Sequence, residues 1–227
     1  MKKHIIVITG ASSGIGAATA KSFHNKGYQL ILLSRDIEAM KGLELKSADL
    51  MPVDVTDKEQ VNQAIELVIR KYKKIDCLIN SAGIAISGEY QDSVKTNAQT
   101  INVNVIGTIN TIDAVLPNMQ ANKYGTIINL SSIADRKSRP NLAAYAASKA
   151  AIRSLTESLR EANAKYGIRF TNLAPAKIAT PMMKTANLAI EDAIPVANFA
   201  EMIVWVYEQP QTICIRDMVV APTCYEA

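Results

Sequence analysis

The start of the chain combines a short apolar run, a glycine-rich turn and a helical pattern. Residues His4–Thr9 are mostly apolar and β-branched, which predicts a buried strand. The next segment, Thr9–Gly16, spaces its glycines as Gly-x3-Gly-x-Gly, a spacing that an ordinary flexible turn could also have. Because the strand precedes it and a helix follows it, we predict an anion site. Glycines admit a phosphate close to the backbone, and the helix N-terminus holds its charge.

Strands and helices alternate along the rest of the chain. The predicted strands are His4–Thr9, Tyr28–Ser34, Ala48–Val53, Ile75–Asn80, Gly125–Ser131, Ile168–Leu173 and Met218–Ala221, and the main helical patterns are Lys58–Tyr72, Asn97–Gln120, Asn141–Tyr166 and Val196–Glu208. Such alternation predicts an α/β fold, with a doubly wound parallel sheet of about seven strands and helices on both faces. Ligands then bind beyond the carboxyl ends of the strands. We expect the 227 residues to form a single domain, residues 1–227.

Composition narrows the class of protein. Hydrophobic residues make up 48% and charged residues 20% of the chain, as in soluble globular proteins. The net charge of +4 is scattered, and its tightest basic cluster, Arg136–Arg139, is typical of a solvated loop, so we expect no nucleic-acid partner. No apolar run approaches the roughly 18 residues of a membrane span. Three cysteines and two histidines without metal-ligand spacing favour a cytoplasmic protein with no metal site.

Tyr145 and Lys149 are spaced so that they lie on one face of a predicted helix, about one turn apart. An ammonium beside a phenol favours the phenolate, so we expect Lys149 to lower the tyrosine pKa from its usual value of about 10. Ser132 follows a predicted strand, which would deliver its hydroxyl to the same place. A tyrosine four residues from a lysine is commonly just helix surface, and the pair gains weight from the anion site at the N-terminus.

With these segments taken together, the chain resembles the short-chain dehydrogenase/reductase family in its single-domain form. Six segments carry the resemblance in order along the chain: Thr9–Gly16, Asp54-Val55, Asn80–Gly83, Asn104, Ser132 with Tyr145 and Lys149, and Pro175 through Thr180-Pro181-Met182. The resemblance implies a Rossmann-like sheet and hydride transfer between a nicotinamide and a carbonyl or secondary alcohol of a small substrate.

The resemblance also implies roles for four catalytic residues. Tyr145 would exchange a proton with the substrate oxygen, Ser132 would hydrogen-bond that oxygen, and Lys149 would hold the nicotinamide ribose. Asn104 would lie at a break in its helix and hold a water linking Lys149 to solvent. Asn102 competes for that role, but the family pattern favours Asn104, two residues before an apolar residue and Gly107.

The end of the second strand decides which cofactor is expected. Ser34-Arg35 stands eighteen and nineteen residues after Gly16, where an acidic residue would select NAD and an arginine suits the 2′-phosphate of NADP. Asp36 competes, although it can also cap the next helix. We therefore expect NADP(H) to be preferred over NAD(H). The residues expected to bind it are Gly10, Ser12, Ser13, Gly14, Ile15, Gly16, Ser34, Arg35, Asp54, Val55, Asn80, Ala82, Gly83, Tyr145, Lys149, Pro175, Ile178 and Thr180.

Departures from the family pattern bear on the substrate. Ala176-Lys177 replaces the common glycine after Pro175, and Ser81 replaces a common asparagine. The segment Met182–Ile194 predicts a short, largely apolar lid.

An alternative function is a catalytically silent NADP(H)-binding regulator, but such a protein would be expected to lose Tyr145 or Lys149. The resemblance and the alanines of the helix Asn141–Tyr166 together predict a homodimer or homotetramer.

Overall fold

The computed structural model describes residues 4–88, 94–137, 139–185 and 192–225, and it contains one large parallel sheet. Its strand order is β3-β2-β1-β4-β5-β6-β9, with every neighbouring pair parallel. These strands are β1 (Ile5–Thr9), β2 (Gln29–Ser34), β3 (Asp49–Pro52), β4 (Cys77–Asn80), β5 (Gly125–Leu130), β6 (Ile168–Pro175) and β9 (Asp217–Val220). Two short parallel strands, β7 (Ile178–Ala179) and β8 (Ile194–Pro195), form a separate ribbon.

Helices cover both faces of the large sheet. The α-helices are α1 (Gly14–Asn25), α2 (Ile37–Lys41), α3 (Lys58–Tyr72), α4 (Val94–Ile101), α5 (Gly107–Asn122), α6 (Ala143–Asn163), α7 (Pro181–Thr185) and α8 (Val196–Glu208). Alternate residues of β1 point to opposite faces, so Ile6 and Ile8 pack with α1 and α8, whereas Ile5 and Val7 pack with α3 and α5. The central strands are therefore buried on both faces, as a parallel sheet requires.

The seven predicted strands are all present in the large sheet, within a few residues of their predicted ends. The predicted helix Asn97–Gln120 is instead α4 and α5 joined by a π-helical segment, Asn102–Ile106. The predicted helix Asn141–Tyr166 has α6 at its centre and a 3₁₀ turn at each end, Pro140–Leu142 and Ala164–Tyr166. We did not predict α2, α7 or the β7–β8 ribbon, because elements of two to five residues are too short to establish a period. The predicted lid falls partly outside the described residues, which omit 186–191.

The strand order creates a crevice at one edge of the sheet. The chain passes from β1 outward to β2 and β3, then returns to place β4 on the other side of β1. The loops that follow β1 and β4 therefore diverge, and ligands of such sheets bind where the order reverses. None of the described helices is long and apolar enough to cross a membrane.

Candidate active site

The glycine turn after β1 is closely packed against the loop that follows β4. Gly10 has a φ of +65°, and a Cβ there would lie 2.7 Å from the Ala82 Cα, so both its conformation and its surroundings require glycine. A Cβ on Gly16 would collide with the Gly10 carbonyl oxygen. The Thr9 hydroxyl accepts hydrogen bonds from the N–H groups of Ser81 and Ala82, each at 3.1 Å. The turn and the β4 loop thus form one fixed wall.

The N-terminus of α1 faces this turn. Ser13 caps the helix without a side-chain hydrogen bond, and the first turn of α1 has no acidic residue. Gly14 has a φ of +53°, and a Cβ there would touch only Thr180 and Pro181, at 3.7 Å or more. The backbone N–H groups of this end of the helix can therefore hold an anion such as a pyrophosphate.

The loop after β2 presents a cation beside the glycine turn. The Ser34 hydroxyl donates to the Ser12 hydroxyl at 2.8 Å, which fixes the two loops together. The Arg35 side chain is 67% exposed, and its Nη1 lies 3.9 Å from Asp54 Oδ2, a loose surface contact. Asp36 accepts a hydrogen bond from the Ala39 N–H and caps α2, which was the alternative role predicted for it.

A single cavity of about 730 Å³ brings most of the predicted site residues together. That volume lies within the range of small-molecule sites, about 300–1,000 Å³. The predicted residues that line it are Gly10, Ser12, Ser13, Gly14, Ile15, Ser34, Arg35, Asp54, Val55, Ala82, Gly83, Ser132, Tyr145, Lys149, Pro175, Ile178 and Thr180. Three predicted residues, Gly16, Asn80 and Asn104, do not line it.

Asn80 belongs to a buried polar network below the cavity. Its side chain donates to Asn129 at 2.8 Å and accepts from Thr111 at 2.7 Å, and Asn129 donates in turn to Thr156. Because Thr111 lies on α5 and Thr156 on α6, the network ties both helices to the central strands. In this structure Asn80 therefore holds the strands and helices around the cavity in place and does not line it.

Asn104 fixes the loop that follows β4. Its carboxamide accepts from the Ile84 N–H at 2.8 Å and donates to the Ile84 carbonyl at 3.0 Å and to the Ser148 hydroxyl at 3.0 Å. The residue is buried at the centre of the π-helical segment, the helix break that the family resemblance implied. The π-helical widening turns this side chain inward, toward Gly83 and Lys149.

Ser132, Tyr145 and Lys149 meet at the ends of β5 and α6. Lys149 is buried, and its Nζ donates to the Leu130 carbonyl at 2.8 Å and lies 5.5 Å from the centre of the Tyr145 ring. Ser132 is also buried, and its hydroxyl accepts a hydrogen bond from the Ala134 N–H. The three residues come from a strand end and successive turns of one helix, as their spacing indicated.

The expected effect of Lys149 on the pKa of Tyr145 is wrong for this structure. Burial raises the pKa of Tyr145, and the nearby Asp135 carboxylate raises it further, against the hydrogen bond with Ser132, which lowers it. The ammonium instead points to the Leu130 carbonyl, and burial lowers the pKa of Lys149 to about 8. The sequence spacing placed the two groups on one face but could not show that Lys149 is buried and bound to the Leu130 carbonyl.

Sequence reasoning missed Asp135, which is buried beside this site. Its carboxylate accepts from the Ser131 hydroxyl at 2.7 Å and from the Arg136 Nε at 2.5 Å. Asn172 on β6 donates to the same carboxylate at 3.3 Å. An acidic residue three positions after Ser132 is a sequence signal, but Asn172 is distant along the chain and only the pairing of β5 with β6 brings it near.

The loop after β6 tolerates Ala176, where the family resemblance implied a glycine. The Ala176 N–H donates to the Val220 carbonyl at 2.8 Å, which extends the pairing of β6 with β9. Ala176 is not among the residues with a positive φ, so its methyl group introduces no backbone strain.

Comparison with known proteins identifies the family. The family model described as short chain dehydrogenase matches residues 4–191.

The chain belongs to the short-chain dehydrogenase family.

An uncharacterised oxidoreductase of Staphylococcus saprophyticus is similar to this short-chain dehydrogenase. The two are 34% identical over 230 residues, which cover 98% of each chain. The structure of ElxO with NADP bound is similar at a TM-score of 0.88 and 27% identity, covering 98% of each chain. A 3-ketoacyl-(acyl-carrier-protein) reductase from Brucella melitensis, complexed with NADH, has the same fold at a TM-score of 0.90, with 24% identity and 97% of each chain covered. This short-chain dehydrogenase is an oxidoreductase with a Rossmann-like fold.

Proposed function

We propose that this short-chain dehydrogenase is an NADP(H)-dependent reductase that interconverts a carbonyl and a secondary alcohol on a small substrate. One observation carries the proposal: the cavity that begins at the glycine turn ends at Ser132, Tyr145 and Lys149. A proton-transferring phenol therefore lies in the same crevice as an anion-binding helix N-terminus. Neither feature alone distinguishes a reductase from a nucleotide-binding protein.

The residues present fit a dinucleotide. The glycine turn leaves the N-terminus of α1 open toward the cavity, as a pyrophosphate requires. Arg35, exposed and only loosely paired with Asp54, is free to turn to a 2′-phosphate. ElxO contains NADP, whereas the Brucella reductase contains NADH, so the preference must come from particular residues. In this chain Arg35 and Ser34 favour NADP(H).

A nicotinamide, when bound, supplies a hydride to the carbonyl carbon. Residues of the chain bind the carbonyl oxygen and transfer the proton to it. Tyr145 donates its phenolic proton to the oxygen as negative charge develops there, and Ser132 holds the same oxygen by a hydrogen bond. Lys149, within reach of the same part of the cavity, binds hydroxyl groups of the cofactor ribose. Asn104 holds the β4 loop against this helix, and its predicted role in binding a water remains part of the proposal.

The test is a screen of ketones, aldehydes and secondary alcohols that follows NADPH absorbance, with NADH in parallel. We expect turnover of at least one carbonyl compound with NADPH and slower turnover with NADH. NADPH binding without turnover of any compound would favour the silent regulator instead. Absence of binding to either nucleotide would reject both functions.

A further inference from the structure

The charged residues that line the cavity are distributed unevenly along it. At the ends of β2 and β3, Arg35 stands beside Asp54. Three strand spacings away, about 14 Å at the usual 4.8 Å per strand, the lining around Ser132 includes the cations Lys149, Arg139 and Lys177. Among the described lining residues, this end contains neither aspartate nor glutamate. The reactive end of the cavity is therefore electropositive.

Arg139 is the guanidinium of this cluster, and most of its hydrogen-bond donors are unused. One terminal nitrogen contacts the Tyr225 hydroxyl near the C-terminus, and no ion pair to Arg139 occurs within the described part of the chain. A guanidinium has five N–H donors in a planar fork, so most of them remain for a ligand. Arg136, three residues earlier, differs because Asp135 and Asp217 engage it on both sides.

No carboxylate lines this end of the cavity, although the charge of Asp135 raises the pKa of both Tyr145 and Lys149. Asp135 is the nearest acidic residue along the chain, but its side chain is fully buried and lies outside the lining. It is bonded to Ser131 and Arg136. Lys149 points to the Leu130 carbonyl, which carries no full charge. An anion that enters the cavity meets no carboxylate at the reactive end.

The rest of this end is apolar. Ile133 and Leu142 line it from the segment between β5 and α6, and Met182 and Met183 line it from α7. Methionine side chains adapt to ligands of different shapes. A ligand that suits the lining therefore combines one anionic group with a short apolar part.

We propose that the substrate is an anionic carbonyl compound whose carboxylate or phosphate is bound by Arg139, with its apolar part against the methionines of α7. This inference rests on the proposed function, because it names the substrate of the same site. The fork of Arg139 matches the two oxygens of a carboxylate or phosphate. The carbonyl then lies between Arg139 and the Tyr145 hydroxyl, which donates its proton as described above. Lys177 adds positive potential, but its ammonium group lacks the planar pair of N–H donors that a guanidinium presents.

The experiment compares pairs of related compounds, one anionic and one neutral. Pairs of 2-oxo acids with their methyl esters test a carboxylate, and a hydroxyketone with its phosphate ester tests a phosphate. We expect the anionic member of at least one pair to have a kcat/KM at least tenfold higher. Arg139→Gln should remove that preference, since a charge-assisted hydrogen bond usually accounts for ten- to hundredfold.

Lys137→Gln is the matched control, because it removes the same charge two residues away from a side chain that does not line the cavity. It should leave the preference for the anion unchanged. The dissociation constant of NADPH should be the same in Arg139→Gln and in the unmodified protein. A fall in NADPH affinity without a change in the substrate preference would assign Arg139 to the cofactor and overturn the inference.

Equal turnover of both members of every pair would overturn the inference while leaving the proposed reductase function intact. Binding is measured separately, so that a protein without turnover still tests it. A 2-hydroxy-2-methyl acid and its amide cannot be oxidised, and calorimetry with NADPH present reports their affinities. Tighter binding of the acid that is lost in Arg139→Gln supports the inference. Equal affinities reject a carboxylate, and equal turnover of the hydroxyketone and its phosphate ester rejects a phosphate.

Discussion

Two ionisable groups of the reactive end, the partly exposed Tyr145 and the buried Lys149, have shifted pKa values. Burial raises the pKa of Tyr145, so the phenol remains protonated at neutral pH and is suited to donate its proton. Lys149 has a pKa of about 8 and is close to losing its charge under mildly alkaline conditions.

Tyr145→Phe removes the phenolic oxygen and keeps the ring. We expect turnover to fall by at least about a hundredfold, because a positioned proton donor usually contributes 10²–10⁴ in rate. NADPH should still bind. Ser132→Ala should reduce turnover less, since serine only holds the oxygen. Steady-state kinetics on a substrate found in the screen measures the turnover of both variants. Tyr124→Phe is the control for loss of a phenol, because Tyr124 does not line the cavity. Near-normal turnover in Tyr145→Phe would contradict the mechanism.

Arg35→Asp should reverse the cofactor preference. In the unmodified protein NADPH should bind at least about tenfold more tightly than NADH, since a charge-assisted hydrogen bond contributes about 1.5–3 kcal/mol. The variant places a carboxylate where the 2′-phosphate would lie, and it should bind NADH more tightly. Fluorescence titration with both nucleotides measures this. Lys41→Asp makes the same charge change at an exposed position on α2 and should keep the preference. Equal affinities in the unmodified protein would reject the assignment.

The lowered pKa of Lys149 predicts how stability depends on pH. Between pH 8 and its ordinary pKa of 10.5, the unfolded chain keeps a proton that the folded protein has lost. The free energy of unfolding therefore rises with pH in this window. We expect the unmodified protein to gain on the order of 2–3 kcal/mol relative to Lys149→Met between pH 8 and 10, at 1.36 kcal/mol per unit.

Urea unfolding of the two proteins at several pH values measures that difference. Lys21→Met, at an exposed position on α1, controls for the loss of one ammonium group. Cys77 and the tyrosines titrate in both proteins, so their contributions cancel in the difference. A difference that is constant from pH 7 to 10 would show that Lys149 is not desolvated in solution.

At the scale of elements, the π-helical segment between α4 and α5 connects the helix layer to the site. It turns Asn104 inward, where the carboxamide bonds the Ile84 backbone in both directions and reaches Ser148 on α6. π-Helical segments inside α-helices are often found at functional sites. Through Asn104, the π-helical segment is thus hydrogen-bonded to the loop after β4 and to α6.

Asn104→Ala should therefore destabilise the protein and disturb the site. It leaves the half-buried N–H and carbonyl of Ile84 without this partner and removes a hydrogen bond to the buried Ser148 hydroxyl. Loss of a partner by a buried polar group costs about 1–3 kcal/mol. We also expect weaker NADPH binding, since Ile84 and Gly83 line the cavity. Asn102→Ala is the matched control, because Asn102 lies in the same π-helical segment but is exposed. Urea unfolding and NADPH titration should separate the two variants, and equal effects would contradict the argument.

At the scale of the whole molecule, one face of α6 remains uncovered. Ala143, Ala147, Ala150 and Ala151 are exposed, so packing on the protein's own sheet does not explain them. Ile101, just before the π-helical segment, and Ile106, at its end, are exposed apolar residues, at 37% and 41%. Small and apolar side chains on neighbouring helices suit close contact with a second copy.

We accordingly expect a homodimer or homotetramer formed through this face. Light scattering at micromolar concentration should give a multiple of the 24.6 kDa chain mass. Ala147→Arg should shift the protein toward a lower mass, because it places a long charged side chain in the contact. Gln63→Arg adds the same charge on α3, outside the face, and should leave the mass unchanged. A monomer mass for the unmodified protein would refute the prediction.

The sequence determined the architecture and most of the cavity, because those signals are local. Buried strands of a parallel sheet are continuous apolar runs, and the glycines of the turn after β1 have fixed spacings. Parallel strands place their carboxyl ends on one edge, so residues that follow strands, such as Arg35 and Ser132, could be assigned to one site. The spacing of Tyr145 and Lys149 likewise fixed their common face.

Tertiary structure decided what depends on contacts between distant segments. The burial that raises the pKa of Tyr145 comes from the packing of several loops, so helix spacing alone gave the wrong direction. Asn80 is linked to Thr156 through Asn129, and Asp135 meets Asn172, only because strands far apart in sequence pair in the sheet. The sequence predicted that Arg139 lies in a solvated basic loop. In the folded chain it lines the cavity and contacts Tyr225, a residue 86 positions away along the chain.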